Sequence, residues 1–391
     1  MGVLELPLCI SELVFIWLEL EETLVVMKVC KKWRRLGGSD TLWQSHVLSR
    51  WSKESANSSR ILNYGKDWRA RYRELLRISR NWTRGIYQER GLYAHRGRII
   101  KIKCNNDFLI SCSEDKQIFV WDLATGMAIG LIKSGDVSDM CMDENEIIAS
   151  SLDGMIRVWS IKTNIEVHCL LAAGVSNVAC SPNRIFARGL GEIFIWDRDS
   201  GKLLHVLTLG ESEQTAVGTM SIGGNKLLVG IKDTVSVYDI FHEEKAPKLL
   251  LTLTHNNVGA VRILGNEVKR IVTISSNRMQ IFSMLDGRII ETFQISHNGF
   301  EPMILPLETH TLTNFVLETT VYDTNFGDMY IWHVFEKKNC ETDGFKIVIH
   351  MGNFSTCTNN EVLAITSGNT VIIRNYTIND VVTKQSKCII L

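Results

Sequence analysis

The residues with the most evident chemical potential are His95, Asp115 and Trp121, together with Ser111 or Ser113. A hydroxyl, an imidazole and a carboxylate are the parts of a nucleophile with its base and orienting acid. The same set has a structural use, because buried polar groups are stable when they hydrogen-bond one another, and that is the expectation here. Elsewhere no nucleophile stands at usable spacing from a base, and no cysteine has a second cysteine or a histidine at zinc-ligand spacing. The sequence predicts a chain without catalytic chemistry, metal or cofactor.

A further reactive group is Cys388. Cys388-Ile389-Ile390-Leu391 fits the C-a-a-X prenylation pattern, and the leucine favours geranylgeranyl. Lys384 and Lys387 would each add ~1 kcal/mol of attraction to an anionic leaflet. Such an anchor is reversible, since stable attachment takes two signals. The tail reads equally well as a hydrophobic terminal strand with an incidental cysteine. The ten cysteines are scattered, which predicts a reducing compartment and buried thiols. No secretory signal pattern opens the chain, and no apolar run approaches the ~20 residues of a membrane span. A cytoplasmic protein is expected, membrane-associated if Cys388 is modified, with the nucleus also open.

Lysine plus arginine (43) equals aspartate plus glutamate (43), which points away from nucleic acid. The distribution is uneven. Between Trp51 and Arg98 twelve basic residues face four acids, Glu54, Asp67, Glu74 and Glu89. The expectation is a solvated helix face.

The positioning elements fall into regions. Ile10, Leu13, Val14, Trp17 and Leu18 share one helical stripe, and Val26, Val29, Cys30 and Trp33 share another. Gly37-Gly38 ends the second, and Ser39-Asp40 caps a third helix carrying Trp43, Val47 and Trp51. Three such helices bury little area alone, so part of their apolar surface is expected to belong to a partner. After a polar loop, Trp68, Tyr72, Leu75 and Leu76 mark a connecting helix.

Beyond residue 82 short alternating strands recur, among them Ile118-Phe119-Val120-Trp121-Asp122, Ile156-Arg157-Val158-Trp159-Ser160 and Ile193-Phe194-Ile195-Trp196-Asp197. Residues 121, 159, 196, 238, 282, 332 and 374 align, with gaps of 38, 37, 42, 44, 50 and 42. That spacing matches the ~40–45-residue period of WD repeats. Seven copies predict a seven-bladed propeller, which must close because one blade cannot cover its own faces. Asn81–Tyr87 is expected to supply the outer strand of the last blade, with the tail from Val381 as competitor. The expected fold is a small helical domain (1–51), a helical linker (52–81), an all-β propeller (82–380) and a tail (381–391).

The N-terminal region resembles an F-box, through Leu6-Pro7, Ile10, Leu13, Phe15, Leu18, Leu24, Val29-Cys30, Trp33-Arg34 and Leu42-Trp43. Glu21-Glu22 stands where the family usually has an aspartate, and Trp17 where a tyrosine is common. The order F-box, helical linker, WD repeats resembles the F-box/WD-repeat proteins. The resemblance implies a substrate receptor of a ubiquitin ligase, docking on a Skp-type adaptor that bridges to a cullin scaffold. Leu6, Pro7, Ile10, Leu13, Val29 and Cys30 would then be adaptor contacts. Trp33, Leu42 and Trp43 would be partly contact and partly core. The alternative function is a non-degradative scaffold.

In relatives that read phosphorylated targets, arginines on the top face pair bidentately with phosphate. The corresponding places here hold Ile100, Ser138, Gly259, Glu114, Leu152 and Lys232, so no phosphate-reading pocket is expected. Lys101, Ser138 and Lys232 are the candidate contacts for a protein substrate, which the sequence does not name. Lys103 is a further cation beside Lys101.

Overall fold

A cysteine, two glycines and two aspartates delimit the helices. In the computed structural model these span Leu20–Val26 (α1), Lys31–Leu36 (α2), Asp40–Arg50 (α3) and Trp68–Arg84 (α4). The structure describes residues 15, 18, 20–50, 61 and 63–378, apart from 85, 173, 190, 210–217, 241–245, 256–257, 259, 265–269, 276–277, 295–302, 307–313, 324–325, 336–343, 350–355 and 359–360.

The stripe expected to run from Val26 to Trp33 is not one helix. Residues 27–29 form a turn, and Cys30 is extended, with φ −154° and ψ 169°. Its Sγ accepts the Trp33 amide at 3.4 Å, so the cysteine caps α2 and satisfies an amide that has no partner inside the helix. Gly37 ends α2, where a Cβ would collide with Met27 Cγ. Phe15, Leu36 and Leu42 bury together, with Leu18, Val26 and Trp33 against them. A second cluster of Trp43, Val47, Ile61, Tyr72 and Leu75 joins α3 to α4.

Asp67 caps α4, accepting the Ala70 amide at 2.8 Å. At the other end Asn81 Nδ2 donates to the carbonyls of Tyr376 (2.7 Å) and Ile378 (2.9 Å). Arg77 donates to the carbonyls of Thr377 (2.8 Å) and Ile378 while pairing with Glu74 at 2.5 Å. Residues 376–378 thus group with the helices in one compact unit, and most of residues 88–375 form a second.

The strand expected at Asn81–Tyr87 does not exist in that place. The helix continues through Arg84, and Asn81 serves it as a clamp. The strand follows as β1, Gln88–Tyr93, and it pairs antiparallel with Thr370–Asn375. Among the described residues the strands make seven four-stranded antiparallel sheets. The first comprises β2 (Ile99–Cys104), β3 (Phe108–Ser113), β4 (Gln117–Asp122) and β5 (Ala128–Lys133). The next five cover 137–171, 177–208, 218–254, 260–294 and 303–349, and the last joins 356–375 to β1.

Burial within a sheet is graded. β3 is buried along nearly its whole length, β4 alternates, and β5 is mostly exposed. This follows from each sheet covering its neighbour. One cluster combines Leu92, Val362, Val371 and Ile373 of the last sheet with Ile102, Leu109 and Trp121 of the first. Similar clusters join the first sheet to the second, the second to the third, and onward to the fifth. Burying each such side chain contributes ~1.5–3 kcal/mol, which a lone sheet could not obtain.

Candidate functional site

In the helical unit, α1 and the turn after it leave large apolar side chains in water. Leu24 is 39% exposed, Val25 61% and Val29 61%. They stay outside because the opposite side of α1 is already occupied: Val26 packs on the Phe15 cluster, and the buried Thr23 hydroxyl lies 3.3 Å from His46 Nε2. Burial lowers the pKa of His46 from its usual value. Three exposed apolar residues within six positions are what a protein partner covers. Of the expected contacts, Val29 is in this patch and Cys30 is half-buried beside it. Trp33 is half-buried, its ring meeting Phe15 edge-on at 6.2 Å. Leu42 and Trp43 are 2% and 3% exposed and belong to the core, with Trp43 Nε1–H donating to the Gly37 carbonyl at 2.9 Å. Leu6, Pro7, Ile10 and Leu13 lie outside the described residues, as does Cys388. Val25 was missed, although two adjacent apolar residues after a helix's acidic start cannot both face inward.

In the first sheet, His95, Ser111, Asp115 and Trp121 come together. Asp115 Oδ2 lies 3.0 Å from His95 Nδ1, and Ser111 Oγ lies 2.8 Å from His95 Nε2. Trp121 Nε1–H donates to the same Ser111 oxygen at 2.9 Å. Burial works to raise the Asp115 carboxyl, but the Arg96 amide, the His95 ring and the Gln117 amide outweigh it and hold its pKa below the usual carboxylate value. Ser111 is the serine used, while Ser113 accepts the Asp115 amide at 3.3 Å. Ser111 is fully buried and its oxygen is engaged on two sides, so no substrate reaches it. The set is a fastening between β3, β4 and the loop before β2.

The candidate substrate contacts are engaged in the fold. Lys101 forms an ion pair with Asp139, which also accepts the Val178 amide at 2.9 Å and Asn177 Nδ2 at 3.2 Å. These residues of successive inner strands link the first three sheets. Ser138 bonds Ser150 Oγ at 2.8 Å and the Val175 carbonyl at 3.3 Å. Lys232 is exposed in a turn with φ +48°, and its carbonyl accepts the Val258 amide at 2.6 Å. The three do not converge. Of the positions compared for phosphate reading, Leu152 is 78% exposed and Ile100 39%, and Glu114 pairs with Arg98 at 2.7 Å. Gly259 lies outside the described residues. The cysteines depart in part from expectation: burial pushes the Cys112 thiol up to about 11, whereas Cys169 is exposed on an outer strand.

Comparison with known proteins agrees with this division. The F-box-like family model matches residues 3–49, and the WD domain, G-beta repeat model matches residues 87–122. Across 149 residues, 32% of the chain, the sequence is 24% identical to an F-box protein of Saccharomyces cerevisiae. That match covers 23% of the yeast protein's length. With an F-box-like module ahead of a WD repeat, the chain is similar to the F-box/WD-repeat proteins.

Proposed function

We propose that the chain is the substrate-recognition subunit of an SCF-type ubiquitin ligase. The F-box-like module docks on a Skp-type adaptor carried by a cullin scaffold, and the WD-repeat domain, a closed ring of seven blades, holds a protein target for ubiquitination and proteasomal degradation. The chain's own role is binding, not catalysis. The observation that carries this reading is the exposed apolar patch Leu24, Val25 and Val29 on an F-box-like module. Its covering by a partner removes apolar surface from water at roughly 25 cal/mol per Å². The only constellation resembling a catalytic triad is sealed and structurally used among the described residues, which supports a receptor over an enzyme.

Co-purification of the full chain with a recombinant Skp-type adaptor tests the first step. Leu24→Asp with Val29→Asp alters exposed positions and is expected to abolish the complex while leaving the melting temperature unchanged. Leu6→Ala with Pro7→Ala probes the contacts implied by the family. A stable complex between the adaptor and the Leu24→Asp, Val29→Asp variant would refute the proposed docking face. Target abundance that fails to rise on depletion of the chain would refute the degradative role.

A further inference from the structure

β5 is the outer strand of the first sheet, and it leaves Met127 (66%), Ile129 (51%) and Leu131 (51%) in water. Leu131 stands directly opposite Phe119 of β4, a half-buried ring packed on the cluster that joins the last sheet to the first. His95 meets that ring edge-on at 4.8 Å, and Trp121 lies 5.6 Å from it. By alternation Ile129 and the exposed Lys133 share the face of Leu131. Across the seam, β1 turns Arg90 to the same side as Leu92, which is buried in the cluster on which Phe119 packs. Arg90 donates to the Thr125 carbonyl, and a Cβ on Gly126 would collide with its side chain. The guanidinium therefore sits beside the turn that leads into Met127. The furrow between β1 and β5 thus has an apolar face with a cation at each end, Arg90 and Lys133, and among the described residues no carboxylate pairs with either. Other outer strands expose apolar residues on a different floor. The pairs corresponding to Phe119–Leu131 are Arg157–Cys169, Ser236–Thr252 and Gln280–Thr292 in the second, fourth and fifth sheets, and Asp153 holds Arg157 at 2.7 Å. The third sheet has Phe194–Val206, but Thr208 stands where Lys133 does.

From Lys133 back to Met127 the strand covers about 20 Å at 3.3 Å per residue. An extended segment with acids at its first and seventh positions and apolar side chains at its third and fifth has the same repeat and the same length. We propose that the furrow holds an extended acidic stretch of a protein target. Its two apolar side chains lie on Phe119, Ile129 and Leu131, and its carboxylates face Arg90 and Lys133. The contact is made by side chains on the face of the sheet, because the bulge at Ile129 disturbs the backbone edge and opposes strand addition there. A nucleic acid would use the cations and leave the apolar face wet, so it fits the pair of observations less well. The inference rests on the receptor reading above in calling the bound protein a target, whereas the furrow and its ligand class stand on the WD-repeat domain alone.

The experiment measures fluorescence anisotropy of a labelled peptide, Glu-Thr-Ile-Thr-Leu-Thr-Glu, titrated with the full chain. Saturable binding with Kd below about 1 mM is expected at about 50 mM salt. Peptides with lysine in place of both glutamates, or serine in place of isoleucine and leucine, are expected to lose it. Ile129→Thr with Leu131→Thr keeps β-branched residues in the strand, and is expected to weaken binding on the order of tenfold at an unchanged melting temperature. Lys133→Glu leaves the apolar face intact and guards against a folding artefact; its loss is expected to be severalfold at about 50 mM salt and to vanish at about 500 mM. Val206→Thr, on the outer strand of the third sheet, is expected to change nothing. No saturable binding by wild type, equal binding of the lysine-ended peptide, or an equal loss from Val206→Thr would each overturn the inference. Co-purification with the adaptor is measured alongside. A chain that binds the adaptor but not the peptide overturns the furrow alone, and one that binds the peptide but not the adaptor overturns the receptor reading and leaves the furrow standing.

Discussion

Ser111 is the residue on which most of the polar interior of the first sheet depends. By strand pairing, the equivalent positions in later sheets hold Ala149, Ala187, Val229, Thr273, Thr319 and Ile365. Thr273 repeats its role, its hydroxyl lying 2.6 Å from His255 Nδ1. Ser111→Ala is expected to cost about 1–3 kcal/mol, because it leaves the His95 ring and the Trp121 indole without their shared partner. Ser111→Thr, the arrangement seen in the fifth sheet, should lose much less; urea denaturation compares them. His255 predicts a pH dependence. Burial, and then the Arg278 charge, lower its pKa below the usual value of 6.5, and its Nε2 has no hydrogen-bond partner among the described residues. The unfolded chain therefore takes up this proton first as pH falls, and stability is lost from the unfolded pKa downward through the folded one. His255→Asn should flatten the fall in melting temperature between about pH 7 and about pH 5; an unchanged fall would place the titrating group elsewhere. The first-sheet set was legible because histidine, serine, aspartate and tryptophan all stand in their places. The His255–Thr273 pair was not, since Phe282 replaces the tryptophan and no turn aspartate accompanies it.

Elements were legible where periodicity alone determines them, and illegible where a single side chain breaks it. Val26, Val29, Cys30 and Trp33 satisfy helical spacing whether or not the backbone turns between them. What decides is Cys30, which caps α2 in place of continuing α1. Cys30→Ser keeps an acceptor for the Trp33 amide and is expected to maintain or raise stability, whereas Cys30→Ala should cost roughly 0.5–1 kcal/mol, the usual loss for a cap. Thermal denaturation of the two variants distinguishes a cap from a packed thiol, for which alanine would be the milder change. The β-strand registers follow the sequence closely, with all seven aligned residues on the third strand of their sheets. The bulges do not. Register shifts beside Trp121, Trp159, Trp196, Tyr238 and Phe282 insert one extra residue in each outer strand: Ile129, Val167, Leu204, Leu250 and Ile290. Alternation of apolar residues gives no sign of a bulge, yet the kink helps keep an apolar edge from recruiting a foreign strand.

At the scale of the whole chain, the consequential contact is between β1 and the strand Thr370–Asn375. The last sheet takes its outer strand from β1, and the position that holds tryptophan in the first three sheets holds Arg374 there. Its Nε donates to Glu89 Oε2 of β1 at 2.9 Å, across 285 residues of sequence. An indole needs one acceptor and a packed neighbour, whereas a guanidinium 9% exposed carries a full charge that a carboxylate balances. Glu89 thus ties β1 to this sheet by a side chain as well as by backbone pairing, while the tail from Val381 lies outside the described residues. The sequence placed a strand here by the logic of closure but set it too early, because Asn81–Tyr87 runs across Gly85, the glycine that directly follows the last residue of α4. The ion pair makes closure testable without deleting a strand. Glu89→Arg sets two cations against each other and is expected to cost about 2–3 kcal/mol. Glu89→Arg combined with Arg374→Glu restores opposite charges with the ends exchanged, and should recover at least half of that loss. Urea denaturation of the single and double variants measures the coupling. Additive losses would mean that Arg374 and Glu89 are held by other neighbours, and that backbone pairing alone joins β1 to the strand Thr370–Asn375.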